Sequence, residues 1–79
     1  MTVTLFPTEQ QRLILERLHF PEHLATLLRQ ETLRLQPSEA EIVRDALTNE
    51  MARRGFDADY KPNHEGLIIE ALIDQLFVP

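Results

Sequence analysis

The chain has 79 residues, enough for one small domain and no second core. Eight Lys and Arg against 13 Asp and Glu leave a net charge of −5, and 43% apolar with 27% charged residues is a globular balance that argues against wholesale disorder. The absence of cysteine removes disulfides, thiolate metal sites and cysteine nucleophiles, and no apolar run approaches the roughly 18 residues of a membrane span.

Met1 to Thr8 lacks the basic start and long apolar stretch of a secretory leader, so a cytoplasmic protein is expected. A domain this small buries only about 60% of the surface of its unfolded chain. Stability must therefore come from dense helix packing or from self-association.

In chain order, Thr2 to Phe6 alternates polar with apolar residues, the pattern of a half-buried strand. A first helix starts at Thr8, an N-cap with Gln11 in capping-box position and Glu9 favouring the positive helix start. Ile14, Leu15 and Leu18 share a face, and Phe20-Pro21 is the expected stop. Pro21 can open a second helix at its first position, with Leu24, Leu27 and Leu28 as the apolar stripe. Thr32 to Gln36 alternates like a strand, although Leu24, Leu28 and Leu35 would also continue the second helix's stripe; a short strand is favoured because Leu33 is off that stripe.

Ser38 with Glu41 reads as the capping box of a third helix, with Pro37 just outside it. Ile42, Val43, Ala46, Leu47 and Met51 recur at helical spacing. Arg53 and Arg54 suit the negative helix end, and Gly55 is expected to stop it in the left-handed conformation. After the loop from Phe56 to Pro62, Asn63 caps a fourth helix reaching about Phe77. Leu67, Ile68, Ile69, Leu72, Ile73, Leu76 and Phe77 cover most of that helix, leaving Gly66, Glu70, Asp74 and Gln75 for solvent. A helix apolar nearly all round is either central in its own fold or buried against a partner.

The expected architecture is thus mainly α: one compact four-helix domain over residues 1–79, with up to two short strands at residues 2–6 and 32–36. Its expected core is Leu15, Leu18, Leu24, Leu28, Ile42, Val43, Ala46, Leu47, Met51, Ile69, Leu72, Ile73 and Leu76. The pairs Leu5/Leu35, Pro7/Pro37, Thr8/Ser38 and Glu9/Glu39, all 30 residues apart, hint at two strand–helix–helix units in tandem. Inside the helices that offset is lost, Ile14 and Leu15 aligning with Ile42 and Val43.

Catalytic chemistry has little support. Asp57, Asp59 and Asn63 match three positions of a calcium loop, but Lys61, Pro62 and Ile68 occupy the others. A looser divalent site from Asp57, Asp59 and Glu65 competes with the plainer reading of a turn followed by a capped helix. His19 and His23 have metal-ligand spacing, but Pro21 between them breaks the helix that would align them. His64 and Glu65 lack a nucleophile or orienting partner in sequence, and Glu39 and Glu41 read as helix-start charges. Gly55 and Gly66 are too few and too far apart for a phosphate-binding loop. No enzyme activity, cofactor or metal is expected.

The strand–helix–helix order is carried by Thr32-Leu33-Arg34-Leu35-Gln36 ahead of the helix beginning Ser38-Glu39-Ala40-Glu41-Ile42-Val43. With a fainter echo at Thr2 to Leu18, it resembles the ribbon–helix–helix repressors. The resemblance implies a two-stranded ribbon, formed by a dimer, that enters the DNA major groove. Thr2 and Thr4, or Thr32, Arg34 and Gln36, would face outward, and only Arg34 of these is basic. Residues 31–79 carry five basic against ten acidic side chains, which opposes the phosphate contacts that supply most DNA affinity.

The expected function is therefore that of a small non-catalytic binding or regulatory protein, of the adaptor, inhibitor or toxin-neutralising type. It would act through the helical surface of Leu67, Glu70, Asp74 and Phe77 on another protein with a basic surface, and as a homodimer. A ribbon–helix–helix-like DNA-binding regulator is the alternative.

Overall fold

The computed structural model describes residues 2–77; of the domain expected over residues 1–79, Met1, Val78 and Pro79 lie outside the described residues. The order is β1 (Val3–Leu5), α1 (Glu9–Arg17), α2 (Glu22–Leu28), β2 (Leu33–Leu35), α3 (Pro37–Arg54) and α4 (His64–Gln75). Among the described residues the fold is thus mainly α, four helices with one two-stranded sheet. The radius of gyration, 12.2 Å, is near the roughly 11.6 Å of a compact domain this long.

Both alternating segments are strands, and they pair antiparallel as Val3↔Leu35, Thr4↔Arg34 and Leu5↔Leu33. Period-two alternation sends Leu5, Leu33 and Leu35 into the core and Thr4 and Arg34 to solvent. The central pair, Thr4↔Arg34, is separated by the same 30 residues as the sequence match. One ribbon thus joins two strand–helix–helix units within one chain. Arg12 of α1 ties them further, donating to the carbonyls of Gln30 (2.7 Å) and Glu31 (2.5 Å) just ahead of β2.

Local signals set most helix ends. Thr8 caps α1 as expected: its hydroxyl accepts from the Gln11 N–H (3.2 Å), and the Gln11 side chain accepts from the Thr8 N–H (2.9 Å). α1 stops sooner than expected, at Arg17 with Leu18 as C-cap, and Pro21 occupies the N-cap of α2 rather than its first helical position. The capping box of α3 also differs from the expected Ser38/Glu41 pair. β2 runs straight into the helix, so Gln36 is the N-cap, Pro37 takes the first helical position and Glu39 accepts from the Gln36 N–H at 2.7 Å. Gly55 ends α3, but in the right-handed region at φ −85°; the positive-φ residue of this stretch is Tyr60, at φ 60°.

The glycines serve a close approach of helix ends. A Cβ on Gly66 would lie 2.1 Å from the Gly55 carbonyl oxygen, so the start of α4 sits backbone to backbone on the end of α3. Asn63 locks that junction. Its N–H donates to the Gly55 carbonyl (2.8 Å), its Nδ2 to the Arg54 carbonyl (2.7 Å), and its Oδ1 accepts from the Gly66 N–H (2.7 Å).

The core gathers Leu15, Leu24, Leu28, Val43, Leu47, Met51, Ile69, Leu72 and Leu76, all expected, with Leu18 and Ile73 half-buried beside them. Ala46 is likewise half-buried, and Ile42 is exposed, contrary to expectation. α3 buries the line Ala40, Val43, Leu47, Glu50 and Met51, and Ile42 lies roughly 100° round from Val43. Leu5, Ile14, Leu33, Leu35 and Ala40 join the core as well.

Candidate functional site

α4 packs against α3 and α1, and that placement decides which part of its apolar circumference is covered. Ile69, Leu72 and Leu76 are completely buried, and Ile68 and Ile73 are partly so. Gly66, expected in solvent with Glu70 and Asp74, is buried instead because the end of α3 crosses it; Glu70, Asp74 and Gln75 are exposed.

The four expected contact residues come together on the opposite side. Spaced by three, four and three, Leu67, Glu70, Asp74 and Phe77 fall within about 80° of arc. All four are exposed, Leu67 at 56% and Phe77 at 65%. Phe77 follows the last helical turn, to which its N–H still bonds through the Asp74 carbonyl (3.3 Å). The Arg44 guanidinium of α3 lies 4.9 Å from the Phe77 ring centre and reaches the Leu76 carbonyl at 3.5 Å. One face of the ring is thus held against α3 while the residue as a whole stays exposed. Sequence reasoning missed Arg44, because its partner is 33 residues away and no local pattern links them.

A second polar group outside sequence reach lies between α1, α3 and α4. Glu50 stands on the buried line of α3, 5% exposed, with Arg17 of α1 at 3.4 Å and Arg54 at 4.0 Å. Arg17 also pairs with Glu65 of α4. Burial of a carboxylate costs several kcal/mol unless it is paired, so Arg17 makes the placement of Glu50 tolerable and joins three helices. Only the Glu50/Arg54 spacing of four was visible in sequence.

The candidate catalytic and metal residues do not converge. The Asp57 carboxylate is engaged by its own loop, accepting from the N–H groups of Asp59 (2.9 Å) and Lys61 (3.1 Å). This is an Asx turn closed by the Phe56↔Pro62 bridge. His23 pairs with Glu39 at 2.8 Å, linking α2 to the start of α3, while His19 lies beyond the end of α1. The Gln36 N–H, and then His23, hold the Glu39 carboxyl below its ordinary value of 4.5. Glu65 faces Arg17, and His64 is exposed. Among the described residues no three His, Asp or Glu side chains are grouped to hold a metal ion.

The α4 strip lines neither the cavity of about 470 Å³ between α1 and α2 nor that of about 540 Å³ between α1 and α3. Among the described residues no helix is long and apolar enough to cross a membrane. No protein-family model matches the chain, and comparison with curated proteins and with solved structures finds none similar to it.

Proposed function

We propose that this is a non-catalytic binding or regulatory protein that acts on another protein through the outer face of α4. The observation that carries the reading is the exposure of Leu67 on α4 and of Phe77 just beyond its last turn, with Glu70 and Asp74 between them. Large apolar residues left open at both ends of one strip are what a partner would cover, and the two carboxylates favour a basic surface. The reading takes the protein to work in the cytoplasm.

The test is capture from the native cell lysate with wild-type, Leu67→Glu and Phe77→Glu proteins. A stoichiometric protein retained by the wild type and lost by both variants, with helicity unchanged, is the expected result. Equal retention by all three, or nothing retained by the wild type, would sink the reading.

A second reading is favoured by the ribbon. A two-stranded antiparallel ribbon fits a DNA major groove, and here the outward pair is Thr4 and Arg34, flanked by exposed Thr2 and Gln36. Retardation of pooled genomic fragments at low salt, abolished by Arg34→Ala and steeply weakened by added salt, would carry it. Absence of retardation at low salt would remove it.

A further inference from the structure

We infer that the outer strip of α4 takes a basic amphipathic helix and disfavours a second copy of itself. This rests on the reading of that face as the binding surface. Leu67 and Phe77 are ten residues apart, about 15 Å along a helix axis. Between them on the same side stand two carboxylates, Glu70 and Asp74, and no cation. Ala71, also exposed, leaves room beside Leu67 for another backbone to come close.

A partner helix that matches this strip carries an apolar residue near each end of a three-turn stretch and Lys or Arg between them. Phe77 is partly set for such contact before binding, because Arg44 already holds one face of its ring. Two α4 strips facing one another in the centred antiparallel register, which pairs Leu67 with Phe77, would instead set Glu70 against Asp74, the kind of repulsion that discriminates between partners. Arg44, on α3, sits at one end of the strip against the Phe77 ring and the Leu76 carbonyl rather than between the two carboxylates.

Two synthetic helices of about 18 residues, alike in their leucines, are titrated against the full chain by fluorescence anisotropy. Each has a leucine near either end of a three-turn stretch, with lysine between the leucines in one helix and glutamate in the other. The lysine helix is expected to bind at least about tenfold more tightly. The double variant Glu70→Lys/Asp74→Lys should reverse that preference, and Leu67→Glu should weaken the favoured helix. All substituted positions are exposed, and circular dichroism checks that the variants keep their helix content.

Equal binding of both helices, lost in Leu67→Glu, overturns the charge complementarity while leaving the α4 face as the binding surface. Failure of both helices, with lysate capture still dependent on Leu67 and Phe77, overturns the helix as partner class. Failure of both with no such dependence overturns the face itself. Sedimentation adds the last arm: a wild-type dimer at neutral pH that Leu67→Glu dissociates would refute the exclusion of self-pairing.

Discussion

Replacing glycine by alanine inside a helix ordinarily stabilises it by about 1 kcal/mol, and Gly66→Ala in the first turn of α4 is expected to do the opposite. The added Cβ would sit 2.1 Å from the Gly55 carbonyl oxygen and 2.9 Å from its carbon. Non-bonded heavy atoms rest at roughly 3.5 Å, so the start of α4 must retreat by more than about 1 Å. Backbone on both sides leaves no flexible side chain to yield. The retreat would stretch the Asn63 bonds to the Gly55 and Arg54 carbonyls, now 2.8 and 2.7 Å. Overpacking costs about 1–3 kcal/mol, and each weakened hydrogen bond about 1 kcal/mol. Set against the alanine gain, the net loss is about 2–4 kcal/mol, or upwards of roughly 10 °C in Tm for a domain this size. Urea denaturation followed by circular dichroism measures it, with an alanine substitution at exposed Gln75 as the control. A Gly66→Ala protein as stable as the wild type would refute the backbone contact between α3 and α4.

Three further outcomes follow from the polar contacts and the backbone. Arg17→Met should lower stability by about 1–3 kcal/mol in chemical denaturation, because Glu50 stays buried with only Arg54 at 4.0 Å. Arg17→Met/Glu50→Leu should recover most of that loss, and no recovery would disprove the pairing role. Tyr60→Gly should stabilise by about 0.5 kcal/mol: the side chain is 87% exposed and sits at φ 60°, where a non-glycine residue costs about 1–2 kcal/mol, partly offset by glycine's extra chain entropy. The carboxyl of Glu39 is held below 4.5 by the Gln36 N–H and then by His23, so its contribution is complete above 4.5 and fades as pH falls through the lower folded value. Glu39→Gln should lose that acid-side slope, and identical acid melting profiles would show that the contact contributes nothing.

Much of the local structure was legible in the chain itself. Thr8 with Gln11, and Asn63 at the head of α4, are capping groups whose partners lie within three residues, so spacing alone locates them. The alternation of Thr2 to Phe6 and of Thr32 to Gln36 marks strands, because side chains on a strand must point to opposite faces. The α4 strip is equally a matter of helical spacing.

What sequence left open was decided by contacts between distant segments. The local signal for the start of α3 is Ser38 with Glu41, yet the helix begins two residues earlier, with Gln36 as its N-cap. Pairing of Leu35 with Val3 holds the chain extended up to Gln36, and Pro37 then begins the helix. The apolar periphery of α3 and α4 exceeds what can be covered in so small a domain, so packing had to choose. It buried Val43 and left Ile42 open, buried Gly66 against Gly55, and exposed Leu67 and Phe77. Glu50 could enter the core because Arg17 arrives from another helix. Hydrophobic pattern and capping fix where helices form, since both act over a few residues; which face meets solvent depends on neighbours brought from across the chain, and only the tertiary structure supplies them.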